Sequence, residues 1–180
     1  EPGVKVRLIG VLGDRTAGSA TGELMQLAAG ADVEIAKAAF RALGLVTSPA
    51  RLPQLIALTI ATKDNDAKSL ADRAIVTTSM KLLEPERRAE AVLKAFQAAS
   101  DPDTKAALLR PLGAIMRTMG GIHEVFFVVR AALKDPAEGV RLAALRCLAD
   151  WPDATPTMTL LEVAAQKDAT LAQREMAIRG

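Results

Sequence analysis

DPAEGVRLAALRCLADW, residues 135–151, is the stretch that decides the fold of this chain. An α-helix turns by about 100° per residue, so the small and aliphatic residues of this stretch fall on two stripes with narrow polar strips between them. The first stripe comprises Val140, Ala143, Ala144, Cys147 and Leu148, and the second comprises Leu142 and Leu145. A helix with two apolar stripes needs both a partner helix and a neighbouring unit. The stretch therefore predicts a stack of similar helical units.

The composition favours helices throughout the chain. Half of the 180 residues are hydrophobic, tyrosine is absent and aromatic residues make up only 3%, which is poor material for a sheet. The single cysteine, Cys147, excludes an intrachain disulfide framework and every multi-cysteine metal motif. No apolar run approaches the roughly 18 residues of a membrane span. We expect an all-α protein that does not insert into a membrane.

A repeat of helix pairs runs along the chain. We call the first helix of each pair the A helix and the second the B helix, and align the B helices on an aliphatic residue near their ends. These anchors are Leu12, Leu43, Ile75, Leu112, Leu148 and Ile178. A period in the thirties with two helices per unit is typical of an α-solenoid. The sequence predicts about five helix pairs after a leading half repeat.

Capping residues mark several of the predicted helices. Asp32 precedes a helix at 33–45, and Ser48 with Pro49 reads as an N-cap followed by proline at the first helical position. Gly120 and Gly121 separate two later helices.

Three segments carry a family resemblance: VRLIGVLGD at 6–14, FRALG at 40–44 and VRLAALRCLAD at 140–150. They resemble HEAT repeats of the short bacterial type that is also found in phycobilin lyases. The resemblance implies a right-handed α-solenoid, with residues 1–180 forming one HEAT-like repeat domain. It also implies that Asp135 with Arg141, and Glu1 with Arg7, link the turn of one repeat to the helix of the next.

The segments after residue 149 are similar to HEAT segments of large multidomain bacterial proteins, many of which carry export signals. They are DWPDATP at 150–156 and LLEVAAQKDATLAQREMAIRG at 160–180. This similarity implies an exported bacterial protein. The first repeat has only its B helix and the last ends without a polar capping helix, so we expect a fragment of a longer chain.

The residues that could carry chemistry lack partners in the sequence. His123 is the only histidine, and no nucleophile or orienting group is placed near it. No second histidine or cysteine stands at ligand spacing, so we predict no metal site, and glycine-rich nucleotide motifs are absent, so we predict no cofactor. Cys147 reads as a small buried hydrophobe. These observations predict that the chain is not an enzyme and has no small-molecule substrate.

Two aromatic residues stand out. Phe127 shares a helix stripe with His123, Arg130 and Lys134, which we interpret as a solvated face. We favour packing of Phe127 against a neighbouring loop over a role as an exposed partner anchor. Trp151 should cover the end of the preceding helix, and stacking on a ligand would require its ring to be exposed.

Charge suggests where a partner would bind. Arg41, Arg73, Arg110 and Arg146 each lie two residues before an anchor, so neighbouring B helices should present arginines at the same height. Either these are ordinary solvated positions, or they form a basic column that receives an acidic protein segment or a polyanion. We therefore predict a non-catalytic scaffold that mediates protein–protein interaction.

Two other functions stay open. A tetrapyrrole-handling role like that of the phycobilin lyases is opposed by the scarcity of histidine and aromatic residues. Nucleic-acid binding by helical repeats is opposed by the same lack of aromatic residues for base stacking, although backbone contacts remain possible.

Overall fold

The structure is a computed structural model that describes residues 2–119 and 123–180. Within these ranges the chain forms eleven α-helices and no strand. The helices are α1 (Pro2–Asp14), α2 (Thr21–Ala28), α3 (Val33–Val46), α4 (Leu52–Ala61), α5 (Asn65–Ser79), α6 (Glu90–Ala98), α7 (Pro102–Met119), α8 (His123–Ala132), α9 (Glu138–Ala149), α10 (Thr157–Ala165) and α11 (Leu171–Arg179). The predicted all-α fold is confirmed. The predicted turn at Gly120 and Gly121 lies outside the described residues.

The chain divides into two compact units, Glu1–Ala91 and Val92–Gly180, and α6 spans the division. In unit 1, the B helices α1, α3 and α5 pack side by side, with the A helix α2 on α3 and the A helix α4 on α5. In unit 2, the B helices α7, α9 and α11 pack side by side, with α8 on α9 and α10 on α11. Each unit therefore has the predicted helix-pair arrangement. That residues 1–180 form a single domain stays a prediction.

Most of the aligned anchors lie in the core. Leu43 and Ile75 are fully buried in unit 1, and Leu112 and Leu148 are fully buried in unit 2. Ile178 is an exception, because it is 73% exposed while its neighbour Ala177 is buried. The alignment on a large aliphatic residue is therefore wrong by one position in α11, where a small residue takes the inward place.

Glycines allow the B helices to approach one another closely. A Cβ atom on Gly13 would lie 3.1 Å from the Cα of Ala42, and one on Gly44 would lie 3.3 Å from the Cα of Ala74. In unit 2, a Cβ on Gly113 would lie 3.0 Å from the Sγ of Cys147. Each of these glycines directly follows an anchor, and each opposing residue directly precedes the next one. The same close contact thus recurs between successive B helices within each unit.

Polar groups also link successive B helices. The Lys81 ammonium donates to the backbone carbonyls of Leu45 at 2.6 Å and Thr47 at 2.8 Å, where the orphan carbonyls of α3 need donors. In unit 2, Arg117 pairs with Asp150 at 2.7 Å. These contacts join the ends of neighbouring B helices.

The predicted helix starts differ in detail. Asp32 caps α3 as predicted, because its carboxylate accepts the backbone N–H groups of Glu34 at 3.0 Å and Ile35 at 3.1 Å. The prediction for Ser48 is wrong, since its side chain makes no capping hydrogen bond. Pro49 instead opens a short 3-10 helix, whose first turn closes through the Ser48 carbonyl. The α-helix starts only at Leu52.

Candidate functional site

A groove lies in unit 2 between the A helices α8 and α10, with the B helix α9 as its floor. Its volume is about 410 Å³, within the size range of ligand sites in proteins. Leu133, Leu145 and Val163 give it aliphatic walls, and Phe127 stands at its edge. Gln166 and Gln173 also line it. The groove is thus mainly apolar, with some polar residues in its lining.

The Phe127 side chain is exposed at the surface. Its side chain is 60% exposed, so the prediction that it packs against a loop is wrong. The physical reason is that Phe126, one step around the helix, takes the core-facing position, and the two rings meet edge to face with centroids 5.5 Å apart. Phe126 in turn meets the buried ring of Trp151 at 5.9 Å. Trp151 therefore packs against the core, and its ring is not available for stacking on a ligand.

Three cationic side chains line the groove, namely Arg130, Lys134 and Arg141, against one acid, Glu162. Arg130 on α8 lies 3.9 Å from the carboxylate of Glu162 on α10, and both side chains are about half exposed. Such exposed pairs are weak, worth about 0–1 kcal/mol. The groove therefore carries a net positive charge beside its apolar walls.

Arg141 is fixed by the turn that precedes α9. Its Nη1 donates to the backbone carbonyls of Asp135 at 2.9 Å and Pro136 at 2.7 Å. The predicted link between Asp135 and Arg141 thus runs through the backbone carbonyl and not through the carboxylate. The equivalent link between Glu1 and Arg7 lies outside the described residues.

The Asp135 carboxylate orders the same turn. It accepts the backbone N–H of Ala137 at 2.9 Å and pairs with Lys105 of α7 at 3.3 Å. The hydrogen bond from the backbone N–H of Ala137 is the largest cause that lowers the pKa of Asp135 below its ordinary value. The hydrogen bond from Lys105 and the charges of Lys105 and Arg141 also lower it. The turn is therefore tied both to its own backbone and to the preceding B helix.

Unit 1 has a groove at the equivalent place in its repeat. It lies among α2, α3, α4 and α5, with a volume of about 430 Å³, and its walls are mostly small residues such as Ala28, Ala36 and Ala61. Ala36 stands seven residues before the anchor Leu43, as Arg141 stands seven before Leu148. The groove thus belongs to the repeat, whereas, among the described residues, arginines and an aromatic side chain line it in unit 2 and not in unit 1.

The predicted arginines are all exposed. Arg41 and Arg73 lie at equivalent positions of the packed helices α3 and α5 in unit 1, and Arg110 and Arg146 lie at equivalent positions of α7 and α9 in unit 2. Arg146 also lines a second groove of about 390 Å³, between α9 and α11, together with Arg179, Asp150 and Glu175. The surroundings of Arg146 are therefore of mixed charge.

The remaining candidates have no reactive setting. His123 is exposed at the start of α8. Burial raises the pKa of the Cys147 thiol to about 12, so it stays protonated at neutral pH. Within 2–119 and 123–180, no cluster of three or more histidine, cysteine or acidic residues is placed to hold a metal ion. No helix in the same ranges has the length and apolarity needed to cross a bilayer.

The sequence contained part of the signal for the unit 2 groove. The predicted solvated stripe of Phe127, Arg130 and Lys134 is confirmed, since all three side chains are exposed. What the stripe does not reveal is that it borders a groove. An aromatic residue on an otherwise charged stripe was the available clue. The opposite wall, with Glu162 and Val163, comes from the next helix pair, so its position depends on tertiary packing.

Comparison with known proteins adds one likeness. No family model and no curated protein matches the chain. A solved structure titled as the complex of CpcE and CpcF of phycocyanin lyase from Nostoc sp. PCC7120 is similar, with a TM-score of 0.47 and 21% identity over 98% of this chain and 69% of that one. At these values the likeness assigns no substrate or partner to this chain.

The prediction that the chain is not an enzyme is contradicted by this similar structure, whose title names a lyase. We therefore withdraw that prediction.

Proposed function

We propose that this protein is a helical-repeat binding protein whose unit 2 groove holds a ligand with an apolar body and carboxylate groups. The observation that supports the proposal is the composition of the groove, where an exposed Phe127 and aliphatic walls lie beside three cations and a single acid. Apolar walls favour a ligand body that leaves water, and the cations favour anionic groups at its edge. Each charge-assisted hydrogen bond contributes about 1.5–3 kcal/mol.

Among ligands of this chemistry we propose an open-chain tetrapyrrole. Its flat conjugated body can lie on the exposed face of Phe127, and its propionate carboxylates can reach Arg130, Lys134 or Arg141. The scarcity of aromatic residues in the sequence opposed this function. The exposure of Phe127 at the groove edge weakens that objection, because a single well-placed ring is enough for stacking.

The test is a titration with biliverdin, followed by its visible absorption. We expect saturable spectral changes with the parent protein, and an affinity about tenfold lower for the double variant Arg130→Ala with Lys134→Ala, which removes two charges from the groove. The matched control is Arg15→Ala with Arg51→Ala, which removes two exposed charges from unit 1 and should bind like the parent. Absence of binding to the parent, or equal affinity of all three proteins, would overturn the proposal.

A second function is supported by the arginines, namely the binding of a protein partner through an acidic segment. Arg41 with Arg73, and Arg110 with Arg146, present exposed guanidinium groups at equivalent positions of packed helices. Guanidinium groups suit carboxylates because their donors form a planar fork.

This second proposal is tested by retention on immobilised poly-glutamate. Arg110→Glu with Arg146→Glu should elute at clearly lower salt than Arg15→Glu with Arg51→Glu, which makes the same charge change away from these positions. Elution of both variants at the same salt concentration would show that only net charge matters.

A further inference from the structure

We propose that Arg141 is the residue that recognises the carboxylate of the ligand in the unit 2 groove, through the Nε–Nη2 edge of its guanidinium. This inference rests on the proposed binding function and names the specificity-determining residue of that site. It assigns different tasks to the three cations of the groove.

The hydrogen bonds of Arg141 divide its guanidinium into two parts. Nη1 donates to the carbonyls of Asp135 and Pro136, at 2.9 and 2.7 Å. No atom of the described ranges accepts a hydrogen bond from Nε or Nη2, and Arg141 lines the groove. Since Nε and Nη2 carry parallel N–H groups on one edge, they match the two oxygens of a carboxylate.

The two hydrogen bonds of Nη1, which we call the clamp, also order the Nε–Nη2 edge for binding. Lys105 and the backbone N–H of Ala137 hold the Asp135 carboxylate, at 3.3 and 2.9 Å, and so fix the turn whose carbonyls hold Arg141. A side chain that is already ordered loses less conformational entropy when its ligand arrives. Arg141 therefore offers a preorganised fork.

The other two cations are less suited to this task. Arg130 already lies 3.9 Å from Glu162, so a ligand carboxylate at Arg130 must compete with that acid. Lys134 offers a point charge on a flexible stem, without a planar fork. In unit 1, Ala36 takes the place of Arg141 and leaves that groove without the fork.

The experiment compares biliverdin with its dimethyl ester, which keeps the apolar body but lacks both carboxylates. We expect the parent to bind the acid at least about a hundredfold more tightly than the ester, because the fork makes two charge-assisted hydrogen bonds to a carboxylate. In Arg141→Lys, which keeps the charge but not the fork, the protein should lose most of its preference for the acid, while its affinity for the ester stays at the parent value. The matched control, Arg130→Lys, should retain the preference.

The outcomes separate the two claims. If Arg141 has only a structural role, Arg141→Lys weakens acid and ester alike, and the inference is overturned while the binding function stands. If the parent binds neither compound, the proposed function fails and the inference fails with it.

Lys105→Met provides a second variant, because Lys105 lies outside the groove and its loss loosens the clamp. It should lower the preference for the acid in part and leave the ester affinity unchanged, and an unchanged preference would contradict the role of the clamp.

Discussion

Cys147 shows how packing sets the chemistry of a single residue. Its Sγ faces Gly113 on the neighbouring B helix, and burial raises the pKa of its thiol to about 12. The sequence predicted a small buried hydrophobe, and this prediction is confirmed. The position on the apolar stripe was enough to predict burial, because helix periodicity fixes which residues face inward.

We expect the Cys147 thiol to resist modification in the native protein. A group with a pKa of about 12 is almost wholly protonated at pH 8, and only the thiolate reacts with an aromatic disulfide reagent. The rate of labelling, followed by absorbance, should be at least about a hundredfold lower in buffer than in denaturant. Equal rates in the two conditions would mean that the thiol is accessible.

The exposure of Phe127 could not be predicted from its neighbours in the sequence. Helix periodicity places it off the core face, but whether it is covered depends on α10, about thirty residues later in the chain. Local patterns carry no information on the distance between two A helices. Its exposure could therefore be read only from the tertiary structure.

At the scale of helices, the glycine that follows a leucine anchor sets the spacing of the B helices. Gly13, Gly44 and Gly113 each follow an anchor and each meet a small residue on the next B helix. The repeat period was predictable from the anchors. The function of the glycines was not, because a glycine near the end of a predicted helix also reads as a stop signal.

The contact between Gly113 and Cys147 predicts that Gly113→Ala destabilises the parent protein but stabilises a protein that lacks the Cys147 thiol. Gly113→Ala should lower the free energy of unfolding by about 1 kcal/mol. Its Cβ would lie 3.0 Å from the Cys147 Sγ, and the packed neighbours have little room to move away. In the background of Cys147→Ala, where the nearest remaining atoms lie at 3.5 Å, the same change should stabilise by about 0.5–1 kcal/mol through helix propensity. Urea unfolding measures all four proteins. The same effect of Gly113→Ala in both backgrounds would contradict the close contact.

At the scale of the whole molecule, the two units share one plan and differ in their grooves. Each groove forms where the end of one A helix, the start of its B helix and the next helix pair meet. Periodicity predicts the helix pairs, because it depends on residues a few positions apart. The groove depends on residues from successive pairs, so its lining could not be predicted without the fold. The proposed function depends on that lining.

The most direct test of the central claim is a map of ligand contacts by methyl NMR during titration with biliverdin. A conjugated tetrapyrrole in the unit 2 groove should shift the methyl signals of Leu133, Leu145 and Val163, which line it, through its ring current. The methyl signals of Val33 and Leu58, which line the groove of unit 1, should stay in place. Shifts confined to Val33 and Leu58, or to residues outside both grooves, would contradict the assignment of the unit 2 groove as the binding site.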